Sequence, residues 1–300
     1  MPRASALVGL LLQLYLSQSA LAGLAPKDEA ESKAGALRNA QKVPTKIAGT
    51  YEGGKLVELR VRGRLAYLIK PTARVDPQKR WVWDFPFWLA INDGFGHVAH
   101  RYYVEQLLAA GFAVAGVDVG PSSGSPAAAE VCQEFYEQLV SKYGLCKRAR
   151  ALAHSHGGLI AYGWAFRHPK CVDRIAGMCP ATDFRTYPTL PNVVAGTSKG
   201  LDYGLSLEEL ARRTKEFNPI DNLAPLARAG VKILHLHGDQ DVLVPTNANS
   251  TELAHRYRAL GGDAEIILLN RLGAQRANSR GHDGPELYDS AALLKFLLAD

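Results

Sequence analysis

One serine stands where the chain changes character. The stretch Ala153-His154-Ser155-His156-Gly157-Gly158 places a small residue two positions before Ser155 and another two positions after it. Upstream, Arg148-Ala149-Arg150-Ala151-Leu152-Ala153 reads as a short strand. Downstream, Leu159 to Phe166 is an apolar run of helix length that stops before Pro169. A serine on so abrupt a strand-to-helix turn sits on strained backbone, and a large side chain two residues away would strike the neighbouring main chain. Ala153 is small enough to fit. Taken alone, the same residues are also compatible with a serine that merely caps a helix.

The surrounding pattern decides between the two. Val57–Val61 and Leu65–Ile69 read as early antiparallel strands around Arg62-Gly63-Arg64, and Trp81–Phe85 as the next strand. A helix near Val98–Ala110 leads through Gly111 into a strand over Phe112–Val119. Ala127–Tyr143 reads as a helix that ends at Gly144, and Val172–Met178 as a further strand. Strands alternating with helices predict an α/β domain with a mostly parallel central sheet and helices on both faces.

Two later segments carry titratable groups. Val231–Leu236 reads as a strand, and His237-Gly238-Asp239-Gln240-Asp241-Val242-Leu243-Val244-Pro245 follows it. Arg280-Gly281-His282-Asp283-Gly284 precedes a last apolar helix, expected over Leu287–Leu298. Asp239 reads as a turn residue bonded to its own backbone. His255 falls in a helical pattern, where a histidine is usually surface.

Together these three segments resemble the α/β-hydrolase superfamily, in which G-x-S-x-G, H-G-x-x-D-x-x-V-P and a late histidine follow one another along the chain. Ala153 stands in place of the first glycine. The resemblance covers most of residues 50–300. It implies Ser155 as nucleophile, His282 as general base and Asp241 as the acid that orients it, with an acyl-serine intermediate and no cofactor. It also implies an oxyanion hole, with one donor from the backbone of His156. The second donor is expected after Trp81–Phe85, from Phe87 or Trp88, because Pro86 has no N–H. That loop lacks the His-Gly of many lipases and esterases. Residues 180–229 break the strand–helix alternation and sit where the superfamily carries a small cap, with Tyr187 and Tyr203 as candidate substrate-pocket walls.

The expected activity is that of a serine esterase, acting on a carbohydrate or another small-molecule acyl ester. A peptidase of the prolyl-oligopeptidase type is a second reading, although the chain lacks room for the propeller usual in that group. A hydrolase-fold binding protein without catalysis is a third.

Composition bounds the remaining classes. Met1-Pro2-Arg3, an apolar run over Ala6–Leu16 and Ala20-Leu21-Ala22 predict a signal peptide over residues 1–22, hence a secreted or periplasmic protein with no stable membrane anchor. Residues 23–44 read as a poorly ordered leader and 45–300 as the catalytic domain. The net charge of +6 is spread along the chain without a Lys/Arg block, which argues against nucleic acid as a partner. The four cysteines form no C-x-x-C pair, so no zinc site is expected; the His154-x-His156 and His235-x-His237 pairs lack a supporting ligand pattern. Cys146 and Cys171 each precede a strand expected to lie beside the other, and a bridge between them is the disulfide expectation.

Overall fold

The computed structural model describes residues 51–85, 100–196, 200–273 and 280–300. Among the described residues, eight strands form one sheet in the order β1-β2-β4-β3-β5-β6-β7-β8. These are β1 (Gly54–Val61), β2 (Arg64–Pro71), β3 (Trp81–Phe85), β4 (Ala113–Val117), β5 (Ala149–His154), β6 (Val172–Met178), β7 (Lys232–Gly238) and β8 (Ala264–Leu269). The hairpin β1–β2 and the β2–β4 pair are antiparallel, and every pair from β4 to β8 is parallel. Arg62 and Gly63 turn the hairpin with φ of 48° and 77°, the twist that a two-residue hairpin needs.

The central strands are buried along their whole length, as expected where helices cover both faces. Alternation sorts their side chains. Trp81, Trp83 and Phe85 of β3 join the core on one face, while Val82 joins the other. The first face is covered by α2 (Pro126–Tyr143), α3 (Gly157–Ala165) and α7 (Glu252–Ala259). The second is covered by α1 (Arg101–Ala109) and α8 (Ala291–Leu298). Helix α2 starts at Ser125, whose side chain accepts from the Ala128 N–H, and stops at Gly144 with φ of 64°.

Between β6 and β7 the described residues form α4 (Leu190–Val194), α5 (Leu207–Phe217) and α6 (Ala224–Arg228). Phe184, Tyr187, Val193, Leu210 and Phe217 bury a separate apolar cluster against Leu159 of α3 and Val244. This small layer occupies the stretch expected as a cap.

Three sequence expectations change. The edge strand β8 was not foreseen; its Ala264-Glu265-Ile266-Ile267-Leu268-Leu269 follows Gly261-Gly262-Asp263, which was the available turn signal. The last helix begins at Ala291 rather than Leu287. Ser290 caps it, and Pro285–Leu287 forms a separate 3₁₀ turn. The Cys146–Cys171 disulfide is absent: both are free thiols, as are Cys132 and Cys179. The reason is lateral placement. β5 lies between β3 and β6. Cys146 is tied to the β3 side, its N–H donating to Lys79 O at 2.9 Å and its carbonyl accepting from the Trp81 indole at 2.8 Å. Cys171 leads into β6 on the other side.

Candidate active site

Ser155 ends β5 and starts α3 with φ of 52°, a left-handed conformation rarely adopted by a residue with a side chain. Its N–H donates to Met178 O on β6, and its carbonyl accepts from Gly158 and Ala181. The tightness of the turn explains the glycine after it. A Cβ on Gly158 would lie 2.5 Å from Ala181 O and 2.8 Å from Pro180 Cβ.

The structure brings Ser155, His282 and Asp241 together. Ser155 Oγ is 2.8 Å from His282 Nε2, and His282 Nδ1 is 2.7 Å from Asp241 Oδ2. All three side chains are buried. Asp241 sits in the turn after β7. Its Oδ1 accepts from the Leu243 and Val244 N–H groups, both at 2.8 Å, while Oδ2 also takes a bond from His237 Nε2 at 3.0 Å. Burial alone would raise the Asp241 carboxyl. The charge of His282 and the hydrogen bonds from His237 and His282 outweigh it and hold the group below the ordinary carboxylate range. Asp239 instead accepts from the Arg271 N–H at the surface, a bond to the loop after β8 rather than to its own turn as the sequence reading expected. His255 is exposed on α7.

Other expected residues fall as follows. His156 follows Ser155 directly, at the N-terminal end of α3. Its ring accepts from the Ser123 N–H at 3.2 Å, and burial lowers its pKa to about 4. Phe87 and Trp88 lie outside the described residues. Tyr187 is buried with its ring edge-on to His156, 6.2 Å between centroids. Tyr203 stands edge-on to Phe184 and Phe217, and its hydroxyl donates to Ser123 O.

Two buried networks flank the array, and the sequence reading assigned neither. On one side Asp84 of β3 bonds His100 Nδ1 at 2.7 Å, and His100 Nε2 lies 3.4 Å from His154 Nδ1. The His154 ring lies near-parallel to that of His282, 6.3 Å between centroids. Burial, then the neighbouring His100 and His282, push its pKa well below that of a free imidazole. On the other side, His235 and His237 occupy alternate positions of β7, so both rings reach one face and meet Ser250 Oγ, at 2.9 and 2.7 Å. Cys179 completes the surround. Its thiol lies beside Asp241 and His282, and burial followed by the Asp241 charge keeps it protonated.

No protein-family model matches this sequence, and no curated protein sequence does. Solved structures do. A peptidase of Mycobacterium tuberculosis that hydrolyses puromycin superposes with a TM-score of 0.60 at 12% identity, over 86% of this chain and 39% of that one. A truncated carbohydrate esterase from gut microbiota gives 0.59 at 16% identity, over 84% of this chain and 97% of that one. MPT51 of Mycobacterium tuberculosis gives 0.59 at 16%, over 84% and 98%. The chain thus spans about two fifths of the peptidase and nearly the whole of the other two. At these identities the likeness is one of fold: the chain has the α/β-hydrolase fold.

Proposed function

We propose that this protein is a secreted serine hydrolase that cleaves a carboxylic ester of small acyl size, such as an acetylated carbohydrate. The observation that carries the reading is the unbroken series Ser155 Oγ–His282 Nε2 and His282 Nδ1–Asp241 Oδ2, at 2.8 and 2.7 Å, with the serine raised on a positive-φ turn. In this reading His282 takes the Ser155 proton as Oγ attacks the ester carbonyl. The tetrahedral intermediate then collapses, the C–O bond to the alcohol breaks, and His282 gives that proton to the leaving alkoxide. Water repeats the sequence on the acyl-serine. Asp241 holds the Nδ1–H tautomer and stabilises the imidazolium. The His156 N–H supplies one oxyanion donor; losing one such donor costs about 2.7–4 kcal/mol of transition-state stabilisation.

Supporting the esterase side, one neighbour matched along nearly its whole length is a carbohydrate esterase. The peptidase neighbour supports the second reading, an amide-cleaving enzyme of prolyl-oligopeptidase type, but less than half of that chain is represented here.

The test is covalent labelling by a fluorophosphonate, followed by rates on acyl-nitrophenyl esters of increasing length, acetylated polysaccharide and aminoacyl amides. The wild type labels and Ser155→Ala does not. Equal labelling of the two would remove Ser155 as nucleophile, and amide turnover far above ester turnover would transfer the assignment to a peptidase. Secretion is checked separately, by N-terminal sequencing of exported protein, with cleavage expected after Ala22.

A further inference from the structure

A chain of buried side chains runs away from the serine behind Asp241. Tyr162 Oη is 2.8 Å from His235 Nε2, and His235 Nδ1 is 2.9 Å from Ser250 Oγ. Ser250 Oγ is 2.7 Å from His237 Nδ1, and His237 Nε2 is 3.0 Å from Asp241 Oδ2 and 2.9 Å from Val244 O. Tyr162, His235, Ser250 and His237 are fully buried, so water supplies none of these bonds. They come from α3, β7 and the turn of helix at Asn247–Thr251, three elements that otherwise contribute nothing to Asp241.

The proton positions follow from the partners. His237 Nε2 faces two acceptors, a carboxylate and a carbonyl, so it carries the hydrogen. The Ser250 hydroxyl has one hydrogen for the two ring nitrogens it meets, and in the order consistent with a hydrogen on His237 Nε2 it donates to His237 Nδ1. Ser250 Oγ then accepts from His235 Nδ1–H. His235 Nε2 is left as an acceptor, and the Tyr162 hydroxyl donates to it. Burial, then the neighbouring His237, lower the pKa of His235 to about 3, in keeping with the neutral ring this order requires. Every donor in the chain therefore points toward Asp241, and no proton is left without an acceptor.

We propose that His237 is a positioning residue: backed by Ser250, His235 and Tyr162, it fixes the carboxylate of Asp241 and moderates its pull on His282. This rests on the hydrolase reading above. Two backbone N–H groups hold Oδ1, while His237 and His282 both donate to Oδ2, the oxygen that orients His282; the Cys179 thiol is a further, weaker donor beside the carboxylate. Without the His237 donor, the charge on Oδ2 falls more fully on His282, which then binds its catalytic proton more tightly. The groups facing His282 are Asp241, Ser155, Cys179 and His154; those facing His237 are Asp241 and Ser250. Of the others only the Cys179 thiol can donate to Asp241, and a thiol is a weaker donor than an imidazole N–H.

The experiment measures kcat/KM, and the rate of fluorophosphonate labelling, against pH for wild type, His237→Phe, His237→Gln and Ser250→Ala. Gln can place an amide N–H near the position of Nε2. His237→Phe is expected to lose roughly tenfold in kcat/KM, in line with the worth of a hydrogen bond to a charged group. Its acid limb moves to higher pH. His237→Gln restores most of that midpoint, and Ser250→Ala moves it the same way by less. A wild-type midpoint and rate in both His237→Phe and Ser250→Ala would overturn the proposal, and a rate loss with an unmoved midpoint would reduce His237 to a packing role. Should His237→Phe fail to fold, Ser250→Ala decides alone on the same criterion. A second arm needs no turnover. Nitrogen-15 NMR of the imidazoles in wild-type protein is expected to find His237 protonated at Nε2 and bare at Nδ1. The reverse tautomer would overturn the relay. If the wild type neither labels nor hydrolyses any ester or amide, the hydrolase reading falls, and the NMR arm still judges the relay.

Discussion

Gly281 is packed directly against the backbone of Asp241. A Cβ on Gly281 would overlap the Asp241 N–H and the Gln240 carbonyl group, and its φ of 78° already disfavours any side chain. Its carbonyl side is as crowded, because a Cβ on Gly238 would overlap the Gly281 carbonyl. The loop that carries His282 and the loop that carries Asp241 are thus pressed together through glycine on both sides. The 2.7 Å contact between the two side chains depends on that approach.

Gly281→Ala should therefore damage the site more than the fold. The Cβ cannot be absorbed by a flexible neighbour, since the atoms it meets are main chain. The two loops must separate, and a misplacement of about 1 Å is enough to cost roughly a hundredfold in rate. We expect at least that loss in kcat/KM. Stability should fall by about 1–3 kcal/mol, the usual range for a strained backbone substitution. Denaturant melts beside ester kinetics check the pair of outcomes. A near-wild-type rate would show that the approach of the loops is not what aligns His282.

Asp241→Asn tests the carboxylate itself. The bonds from Leu243, Val244, His237 and His282 are all accepted by it, two on each oxygen. An amide would present N–H donors either to two backbone N–H groups or to two histidine donors. The second arrangement forces His282 into the wrong tautomer, an effect that costs about 10⁴ in kcat for this kind of triad. We expect a fall of that order in ester turnover, with circular dichroism unchanged.

Ser155, Asp241 and His282 were legible because each is announced by its own local chain. Small residues flank the serine, Val-Pro follows the aspartate, and Gly281 precedes the histidine. The sheet was legible for the same reason, since apolar runs and turn residues recur along it. His237 was visible as the first residue of the H-G-x-x-D-x-x-V-P segment and as half of a histidine pair, in neither case with a role of its own. Its partner Ser250 lies 13 residues beyond, and nothing local in the sequence couples them. The disulfide expectation failed for a related reason. Adjacent strands were inferred correctly, β5 beside β6, but the lateral pull of Lys79 and Trp81 on Cys146 depends on contacts distant in sequence. Edge strand β8 was passed over because its alternation is weak, with Leu268 exposed on an otherwise apolar run.

The four thiols should separate cleanly by reactivity. Cys146 and Cys171 are partly exposed, whereas Cys132 and Cys179 are buried. Burial pushes the Cys132 thiol up to about 12, and burial with the Asp241 charge raises that of Cys179. The attacking species is the thiolate, so both are inert in the folded state. Native protein should release two equivalents of chromophore from a disulfide reagent at pH 8, rising to four on unfolding. Mass mapping should place the two fast labels on Cys146 and Cys171.

Folding stability should decline as pH falls below about 6.5, well before carboxylates are protonated. Buried His235 and His156 have folded pKa values lowered to about 3 and about 4, by burial in both cases and by His237 in the first. His154 is lowered as well. Above pH 6.5 these rings are neutral in folded and unfolded chains alike, and pH has no purchase on them. Below it the unfolded chain binds protons that the folded chain refuses, so the unfolded state gains. The loss continues until pH reaches the folded values, at up to about 1.4 kcal/mol per pH unit for each ring. Asp241 adds a later contribution of the same sign. Its folded pKa is depressed, so its stabilisation is complete above the unfolded value near 3.9 and is lost on further acidification. Urea midpoints between pH 7.5 and pH 5 should therefore slope downward with falling pH. His235→Gln should flatten that slope even where its absolute stability is lower, because one of the refused protons is gone. A flat profile in the wild type would mean that the buried imidazoles take up protons in the folded state, and that the network around Asp241 is more open than its geometry indicates.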